Sequence, residues 1–329
     1  MMPIQPKVSI LMATYNYARF LPTAIESVLA QEMGEFELII GDNASEDNTP
    51  EIIAQYASRD PRVKAFRNPT NLGIVENFNR CFLRMSPQSL YFILLPADDW
   101  WTPQTLKRLL EVAQANPQVA LVHADAYRTD ETGRVLNRYN EFMGQRPPEG
   151  PHRAVELLMY TDYIPAQAAL VNRKFLPEEK PFDPELRYVH DLNLWLKLLL
   201  EGHPAFYLAE PLAYIRKHSA AQTIQANIEP RLREEVRMLE KLAPLTPPAL
   251  EPSRQDALAN RLAALSFHLL GASKVEEAQA LLEKTAQVCP QIRLDLIVAR
   301  WIAGLPLSQR IRAQIWNLAW STAQVVRRA

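Results

Sequence analysis

The segment Val8-Ser-Ile-Leu-Met-Ala-Thr-Tyr-Asn16 starts as an apolar run and ends in a polar turn. Residues Val8–Met12 have the β-branched and bulky side chains of a buried strand. A helical pattern, Pro22–Gln31, follows, and its proline suits a first helical turn because no partner is needed there for the missing N–H. The segment therefore predicts a strand, a turn and a helix, in that order.

The same unit repeats along the following residues. Further strand candidates are Phe36–Ile40, Val63–Phe66, Tyr91–Leu95 and Val119–His123. Helical spacing appears between them, over Pro50–Ala57, Val75–Arg84 and Pro103–Ala115. This alternation predicts an α/β fold, Rossmann-like, with a mainly parallel sheet flanked by helices. In such sheets ligands bind at the carboxyl ends of the strands.

The pattern changes in the second half of the chain. A strand candidate at Gln167–Val171 and an apolar helix at Asp191–Glu201 extend the first domain. After Ile228 only helical patterns remain, namely Glu229–Leu242, Leu258–Leu270 and Val275–Val288, with a proline-rich linker from 244 to 252. We predict an α/β domain over residues 1–226 and an α-helical domain over residues 227–329.

The helical domain contains two further features. The helix pair around Gly271 resembles one tetratricopeptide-like unit, which suggests a capping or docking role. A terminal amphipathic helix carries Ile311, Ile315, Trp316 and Leu318 on one side, with arginines around them. Such a helix packs against its own protein or makes a peripheral contact with an anionic membrane.

Composition excludes several classes of protein. The formal net charge is −1, which gives no electrostatic basis for binding nucleic acid. Cys81 and Cys289 lie far apart, so neither a disulfide framework nor a zinc cluster is expected. No signal sequence or membrane span is recognisable. We expect a cytoplasmic protein, with a peripheral location at the inner face of the membrane as the alternative.

Three polar segments follow predicted strands. In Ala13-Thr-Tyr-Asn16, Tyr15 could stack on a nucleobase, or the segment is a turn capped by asparagine. In Gly41–Thr49, Asp42 could accept a hydrogen bond from the imide N–H of uracil or thymine, or the segment is a solvated turn. In Asn68–Gly73, backbone amides near Gly73 and the side chain of Arg67 suit a phosphate, or the segment is a plain loop.

The segment Leu94-Leu-Pro-Ala-Asp-Asp-Trp-Trp101 gives the strongest signal. Two adjacent carboxylates at the end of an apolar strand are costly unless a cation or donors meet them. Oxygen ligands favour Mg²⁺ or Mn²⁺, which can bridge to a diphosphate. The alternative is that Asp98 or Asp99 caps the next helix.

Taken in order, these segments resemble the family 2 glycosyltransferases, which are inverting enzymes with the GT-A fold. The similarity extends from Val8 to about Thr223. It includes Val8–Asn16, Asp42–Thr49, Asn71–Gly73, Ala97–Asp99 and Asp191-Leu-Asn-Leu-Trp-Leu196.

The resemblance implies a site for a nucleoside diphosphate sugar. Its donor-binding residues would be Ala13, Thr14, Tyr15, Asn16, Asp42, Arg67, Asn71, Gly73, Asn77, Ala97 and Asp98. Asp98 would bind a divalent cation, Mn²⁺ or Mg²⁺, although Pro96 stands where the family's Asp-x-Asp motif often has its first aspartate. In Tyr214-Ile-Arg-Lys-His-Ser219, which would follow the final strand, His218 would be a further metal ligand.

The resemblance also assigns the catalytic base. By this resemblance Asp191 would be the catalytic base, and His190 stands where the family commonly has a glutamate. The alternative is that Asp191 only caps its helix. The remaining candidates for contacts with the acceptor or diphosphate are Asp99, Trp100, Trp101, His190, Arg216 and Lys217. The tryptophans could equally belong to the core.

The expected reaction is an inverting transfer from a nucleotide sugar, with UDP favoured, to a glycan, lipid or protein hydroxyl. A nucleotidyltransferase would need a glycine-rich basic loop, which Ala13–Asn16 lacks. A glycosidase would share the two carboxylates but not a nucleoside pocket. A non-catalytic nucleotide-sugar-binding or scaffold protein is the main alternative, because of Pro96 and His190.

Overall fold

The computed structural model describes residues 5–177, 179–219 and 228–289. The chain divides into two compact units, Met1–Ala221 and Gln222–Ala329. The first unit is an α/β unit and the second is helical over its described part. Each unit is described by itself.

The first unit is built on a ten-stranded sheet. Its strands are β1 (Val8–Thr14), β2 (Phe36–Asp42), β3 (Val63–Arg67), β4 (Tyr91–Leu94), β5 (Trp100–Trp101), β6 (Leu121–Thr129), β7 (Val135–Arg138), β8 (Gly150–His152), β9 (Ala169–Asn172) and β10 (Ala205–Arg216). The order is β3-β2-β1-β4-β9-β6-β10-β5, while β7 pairs with β6 and β8 with β10.

The predicted α/β fold is confirmed, although the sheet is more mixed than expected. Strands β1 to β4 form one parallel block, and β6 and β10 form a second. Strand β9 lies between these blocks and is antiparallel to both neighbours. The carboxyl ends of both blocks therefore lie at the same edge of the sheet.

Several strands extend further than predicted. Strand β1 includes Ala13 and Thr14, which were expected in the following turn, because its pairing with β2 continues to Thr14 and Asp42. Strand β6 continues to Thr129 because it pairs with both β7 and β10. The Tyr214–Arg216 part of the predicted post-strand segment lies within β10.

Seven helices surround this sheet in the described part of the first unit. They are α1 (Leu21–Leu29), α2 (Thr49–Arg59), α3 (Ile74–Phe82), α4 (Thr105–Ala115), α5 (Tyr139–Met143), α6 (Val155–Tyr160) and α7 (His190–Leu200). Alternate residues of each strand face opposite layers. In β4, Ile93 joins the core under α1 and α4, whereas Phe92 contacts Phe82 of α3.

Helix α7 is buried as its apolar sequence predicts. Every residue of the helix except Asp191 and Lys197 is buried. Trp195 is fully buried and belongs to the core. The helix therefore forms a fixed support, with Asp191 in its first turn.

The second unit contains α8 (Ile228–Lys241), α9 (Glu251–Gly271) and α10 (Val275–Val288). The predicted helix pair around Gly271 is present. Helix α9 begins within the predicted linker, because Pro252 occupies its first turn, where proline is tolerated. The predicted terminal amphipathic helix lies outside the described residues. Among the helices that are described, none is long and apolar enough to span a membrane.

Two histidines meet inside the first unit. The Nε2 atoms of His123 and His152 are 2.9 Å apart, and His123 is fully buried. Burial, and then the neighbouring His152, hold the pKa of His123 well below its usual value. Burial also lowers the pKa of His152, to about 4. Both rings are therefore neutral in the folded protein at neutral pH.

This pair predicts a loss of stability in acid. The unfolded chain binds protons at these histidines below about pH 6.5, whereas the folded chain resists them, so unfolding becomes easier as the pH falls from 7 to 4. Each extra proton bound by the unfolded chain contributes a slope of up to about 1.4 kcal/mol per pH unit. We expect His152→Gln to show a shallower decline than the wild type in urea denaturation series across this range.

The partly exposed His203 offers the matched control, as His203→Gln. This control should retain the wild-type pH dependence. Parallel curves for the wild type and His152→Gln would contradict the assignment.

Candidate functional site

The ends of β1, β2 and β3 bring the first group of candidate residues together. The parallel register places Thr14 beside Asp42 and Asp42 beside Arg67. The Asp42 carboxylate is buried, accepts a hydrogen bond from the Ser45 N–H at 3.0 Å, and lies 3.2 Å from Nη1 of Arg67. The side chain of Arg67 remains 51% exposed. This pair presents a carboxylate and a guanidinium at one point of the sheet edge.

Two loops are joined beside this pair. The N–H of Asn16 donates to Oγ of Ser45 at 2.9 Å, and Oδ1 of Asn16 accepts from the N–H of Glu46 at 2.8 Å. Asn16 and Ala44 have positive φ angles of 58° and 64°. An alanine in this region is strained, and such strain often occurs in binding loops. Tyr15 is 37% exposed at this edge, as a nucleobase contact requires.

A network of asparagines supports these loops from behind. Asn77 is almost fully buried; its Nδ2 donates to the carbonyl oxygen of Gly41 at 2.6 Å, and its Oδ1 accepts from Asn68 at 3.0 Å. Asn43 donates to Oδ1 of Asn71 at 2.7 Å. The structure therefore corrects the role of Asn77, which holds the end of β2 instead of facing a ligand.

Asn71 and Gly73 remain at the surface of the third loop. Asn71 is exposed, and its Oδ1 accepts from the N–H of Gly73 at 2.9 Å. Gly73 precedes α3 with φ at 81°, a conformation that glycine adopts without strain. Both residues can meet a ligand at this edge.

Asp98 and His218 form the second group. Oδ2 of Asp98 lies 2.9 Å from Nε2 of His218, whose side chain is only 2% exposed. Tyr17 also hydrogen-bonds to Asp98, and its pKa is raised by burial, by the charges of Asp98 and Asp99 and by that bond. The ring of Phe20 packs against His218, with centroids 4.6 Å apart. Tyr17 and Phe20 were not predicted, although they follow the Ala13–Asn16 segment directly.

Asp99 is engaged differently from Asp98. It is 4% exposed, and its two oxygens accept hydrogen bonds from Nε2 of Gln167 at 2.9 Å and from the N–H of Arg216 at 2.8 Å. Burial, and then the charge of Asp98, raise the pKa of Asp99 well above its usual value. Neither aspartate caps helix α4, whose N-cap residue is Gln104. Asp99 therefore connects the segment after β4 to the end of β10 and to the segment before β9. Asp98 is the carboxylate that a cation can reach.

Asp98 and His218 fit a divalent cation. Two ligands each about 2.1 Å from an ion and at right angles lie about 3 Å apart, which agrees with their separation of 2.9 Å. Within the described ranges, no group of three or more histidine, cysteine, aspartate or glutamate side chains converges. The remaining ligands would then come from water or a bound diphosphate.

Arg216 is held in place on several sides. Its guanidinium lies 5.0 Å from the ring centroid of Phe20 and 4.4 Å from that of Trp100. Its Nε donates to the carbonyl oxygen of Asp98 at 3.0 Å, and its Nη1 donates to the carbonyl oxygen of Glu131 at 2.8 Å. These contacts make Arg216 a support for the Asp98 loop, in place of the free diphosphate contact expected from sequence.

Trp100 belongs to a stack of aromatic rings. It stacks on Tyr214 with centroids 5.0 Å apart and planes 7° apart, and Tyr214 stacks on Tyr127 at 5.1 Å. Tyr214 and Arg216 both come from β10, so Trp100 is held by contacts with that strand. The expectation that Trp100 stacks on an acceptor sugar stays a prediction.

Three other candidates are structural in their contacts. Trp101 is 3% exposed, and its indole N–H donates to the carbonyl oxygen of Gln167 at 2.7 Å, so it belongs to the core. His190 stacks on Phe78 with centroids 5.6 Å apart and packs α7 against α3. Ala97 is buried in the core.

Asp191 differs from these residues because it is partly exposed. The helix N-cap is Val189, so Asp191 does not cap α7. Its carboxylate accepts a hydrogen bond from the N–H of Leu192 at 2.8 Å. Among the described residues no direct contact joins Asp191 to Asp98 or His218.

Comparisons with known proteins agree on one family. The model of glycosyl transferase family 2 matches residues 9–176. An uncharacterized glycosyltransferase of Nostoc sp. is 29% identical over 233 residues, covering 67% of each chain. The putative glycosyltransferase EpsE of Bacillus subtilis is 28% identical over 221 residues, covering 66% of this chain and 75% of EpsE.

Solved structures show the same fold. Residues 1–349 of S. aureus TarS, in complex with UDP-GlcNAc, match with a TM-score of 0.64 and 17% identity, covering 98% of this chain and 92% of that one. The mannosyltransferase PcManGT of Pyrobaculum calidifontis, in complex with GDP-Man and Mn²⁺, matches with a TM-score of 0.60 and 17% identity, covering 97% and 86%.

The close packing at Gly41 predicts a selective loss of stability. A Cβ at this position would lie 2.4 Å from Oδ1 of Asn77 and 2.7 Å from the ring of Phe66. We expect Gly41→Ala to destabilise the protein by about 1–3 kcal/mol, as overpacking does, in thermal or urea denaturation. Gly34→Ala is the matched control, because a Cβ there meets no atom within 4 Å. Equal stability of the two variants would contradict the packing described here.

Proposed function

This chain belongs to glycosyl transferase family 2, and we propose that it transfers a sugar from a nucleoside diphosphate sugar to a hydroxyl group of a glycan, lipid or protein. The observation that carries this proposal is the Asp98–His218 pair at the same sheet edge as the Asp42–Arg67 pair. The first pair suits a metal diphosphate and the second suits a nucleobase. The reaction would proceed with inversion at the anomeric carbon.

UDP is the nucleotide that the site favours. An ionised carboxylate only accepts hydrogen bonds and a guanidinium only donates them, so Asp42 and Arg67 complement the imide N–H and the carbonyl oxygens of uracil. The exposed ring of Tyr15 can cover the base. TarS, which shares the fold, binds UDP and UDP-GlcNAc, whereas PcManGT binds GDP-Man.

Asp98 and His218 are the residues that would hold Mn²⁺ or Mg²⁺. A cation bound there would neutralise the negative charge that develops on the departing nucleoside diphosphate. Tyr17 and Arg216 keep Asp98 in place, Tyr17 by hydrogen bonding to its carboxylate and Arg216 by hydrogen bonding to its carbonyl oxygen. Bound Mn²⁺ in PcManGT supports a divalent cation here.

Asp191 is the proposed general base. Its carboxylate is partly exposed in the first turn of a helix that is otherwise almost entirely buried. It would take the proton of the acceptor hydroxyl, which must approach within about 3 Å. That hydroxyl would attack the anomeric carbon from the side opposite the diphosphate, which gives inversion.

A thermal-shift series tests the donor and the metal together. We expect UDP and dTDP with Mn²⁺ each to raise the melting temperature more than GDP at the same concentration, because uracil and thymine share the imide that Asp42 and Arg67 complement and ligand stabilisation follows affinity. Chelation with EDTA should remove the part of the stabilisation that depends on the metal, and Asp98→Asn should lose most of that part. If none of the three nucleotides stabilises the protein with either metal ion, the proposed donor site is wrong.

Asp191→Asn tests the catalytic role separately from binding. We expect its turnover to fall at least ~10²-fold, because a general base is lost, while its affinity for UDP stays close to that of the wild type. Release of UDP from the donor with acceptor present measures turnover, and calorimetry measures affinity. Glu201→Gln, just beyond the other end of the same helix, is the control and should keep wild-type turnover. Nucleotide binding without any turnover in the wild type would favour a non-catalytic nucleotide-sugar-binding protein instead.

A further inference from the structure

Arg128 is a buried cation without an acidic partner. Its side chain on β6 belongs to a residue that is 6% exposed. The guanidinium lies 3.3 Å above the ring centroid of Phe142, and its Nη1 donates to Oδ1 of Asn137 at 3.1 Å. In the part of the chain that the structure describes, it forms no ion pair with a carboxylate. Burial lowers the pKa of Arg128.

A second cation approaches the same ring. Nζ of Lys217 lies 5.6 Å from the centroid of Phe142. Lys217 likewise forms no ion pair within the described ranges. Two like charges therefore share one aromatic ring, and neither is compensated by an acid there.

This arrangement is unfavourable unless a ligand completes it. Burying a charge costs several kcal/mol, and buried charges in proteins are usually paired. One amide oxygen and one aromatic face compensate Arg128 only in part. We propose that Arg128 and Lys217 form an anion site for a phosphate-type group, with Phe142 as its apolar flank.

The anion site is separate from the Asp98–His218 pair. Phe20 contacts Arg216 and His218, whereas Phe142 contacts Lys217, the residue between them. Because successive residues of an extended chain point to opposite sides, the two sites lie on opposite sides of the end of β10. A diphosphate held at Asp98 and His218 therefore does not supply the anion that Arg128 and Lys217 lack.

The surroundings provide room for a larger molecule. Helix α5, which carries Phe142, also borders an open cavity of about 580 Å³. The cavity is lined by Asn140, Glu141, Gly144, Gln145, Arg146 and Leu157. Phe142 itself is 56% exposed. We assign the anion to the acceptor because the diphosphate of the donor is placed on the other side of β10; this step depends on the proposed transferase function, while the anion site itself does not.

Phosphate binding tests the site directly. Inorganic phosphate is titrated by thermal shift against the protein saturated with UDP and Mg²⁺, so that the donor site is occupied. We expect the wild type to be stabilised, and Arg128→Met and Lys217→Met each to weaken phosphate binding by about tenfold or more, as loss of a charge-assisted hydrogen bond does. Lys217 is exposed, so its variant should fold even if Arg128→Met does not. Arg134→Met, an exposed arginine on the β6–β7 connection, is the control and should bind phosphate like the wild type.

Three results would overturn the proposal. The first is that phosphate does not stabilise the wild type, and the second is that UDP displaces phosphate completely. The third is that Lys217→Met, and Arg128→Met if it folds, bind phosphate as tightly as the wild type. Phosphate binding in a protein that releases UDP from no donor would refute the transferase function but leave the anion site intact. The source of the phosphate is then separated with glycerol phosphate and with phosphatidylglycerol vesicles, using phosphatidylcholine vesicles as the neutral control. Lys217-dependent binding of glycerol phosphate alone supports a soluble phosphate-bearing acceptor, and Lys217-dependent binding of the anionic vesicles supports a lipid head group.

Discussion

The structure of this protein depends on how it compensates carboxylates at the edge of an apolar sheet. Asp42, Asp98 and Asp99 all lie where buried strands end, and an isolated charge there would be costly. Each has a different partner: Asp42 has a guanidinium, Asp98 has an imidazole and a phenol, and Asp99 has an amide and a backbone N–H. The strand ends can stay close together only because these partners come from other parts of the chain.

A stack of aromatic rings also helps to hold Asp98 at the end of its strand. Tyr127, Tyr214 and Trp100 extend across three neighbouring strands and end against the guanidinium of Arg216. Arg216 in turn fixes the carbonyl oxygen of Asp98 and that of Glu131. The rings thus fill the face of the sheet beside the Asp98–His218 pair and restrict how Asp98 can move. A loosely held carboxylate would bind a metal diphosphate less well, because the binding energy would first have to order it.

The sequence predicted the positions of elements and motifs better than the contacts of side chains. Alternating apolar runs locate β1 and β2, and polar residues after them mark the ligand edge. What the sequence does not reveal is which side of a residue is covered. Trp100 is covered by Tyr214 and Arg216, more than a hundred positions along the chain, and Asn77 is turned inward toward Gly41. The range of strand β10 was not predicted, because its partners β5, β6 and β8 are distant in sequence and its own pattern is interrupted by Pro211.

The contacts of the aspartates also indicate which one is suited to proton transfer. A base must have an oxygen that a substrate hydroxyl can reach. Asp99 has a raised pKa, but both of its oxygens are engaged and it is buried. Asp98 lies 2.9 Å from Nε2 of His218 and also hydrogen-bonds to Tyr17, so neighbouring side chains already engage its carboxylate. Asp191 accepts a hydrogen bond from the N–H of Leu192 in its own helix and faces solvent in part. The division of roles that we propose, between metal ligand, strand-end support and base, therefore rests on hydrogen bonding and exposure, since the three residues are chemically identical.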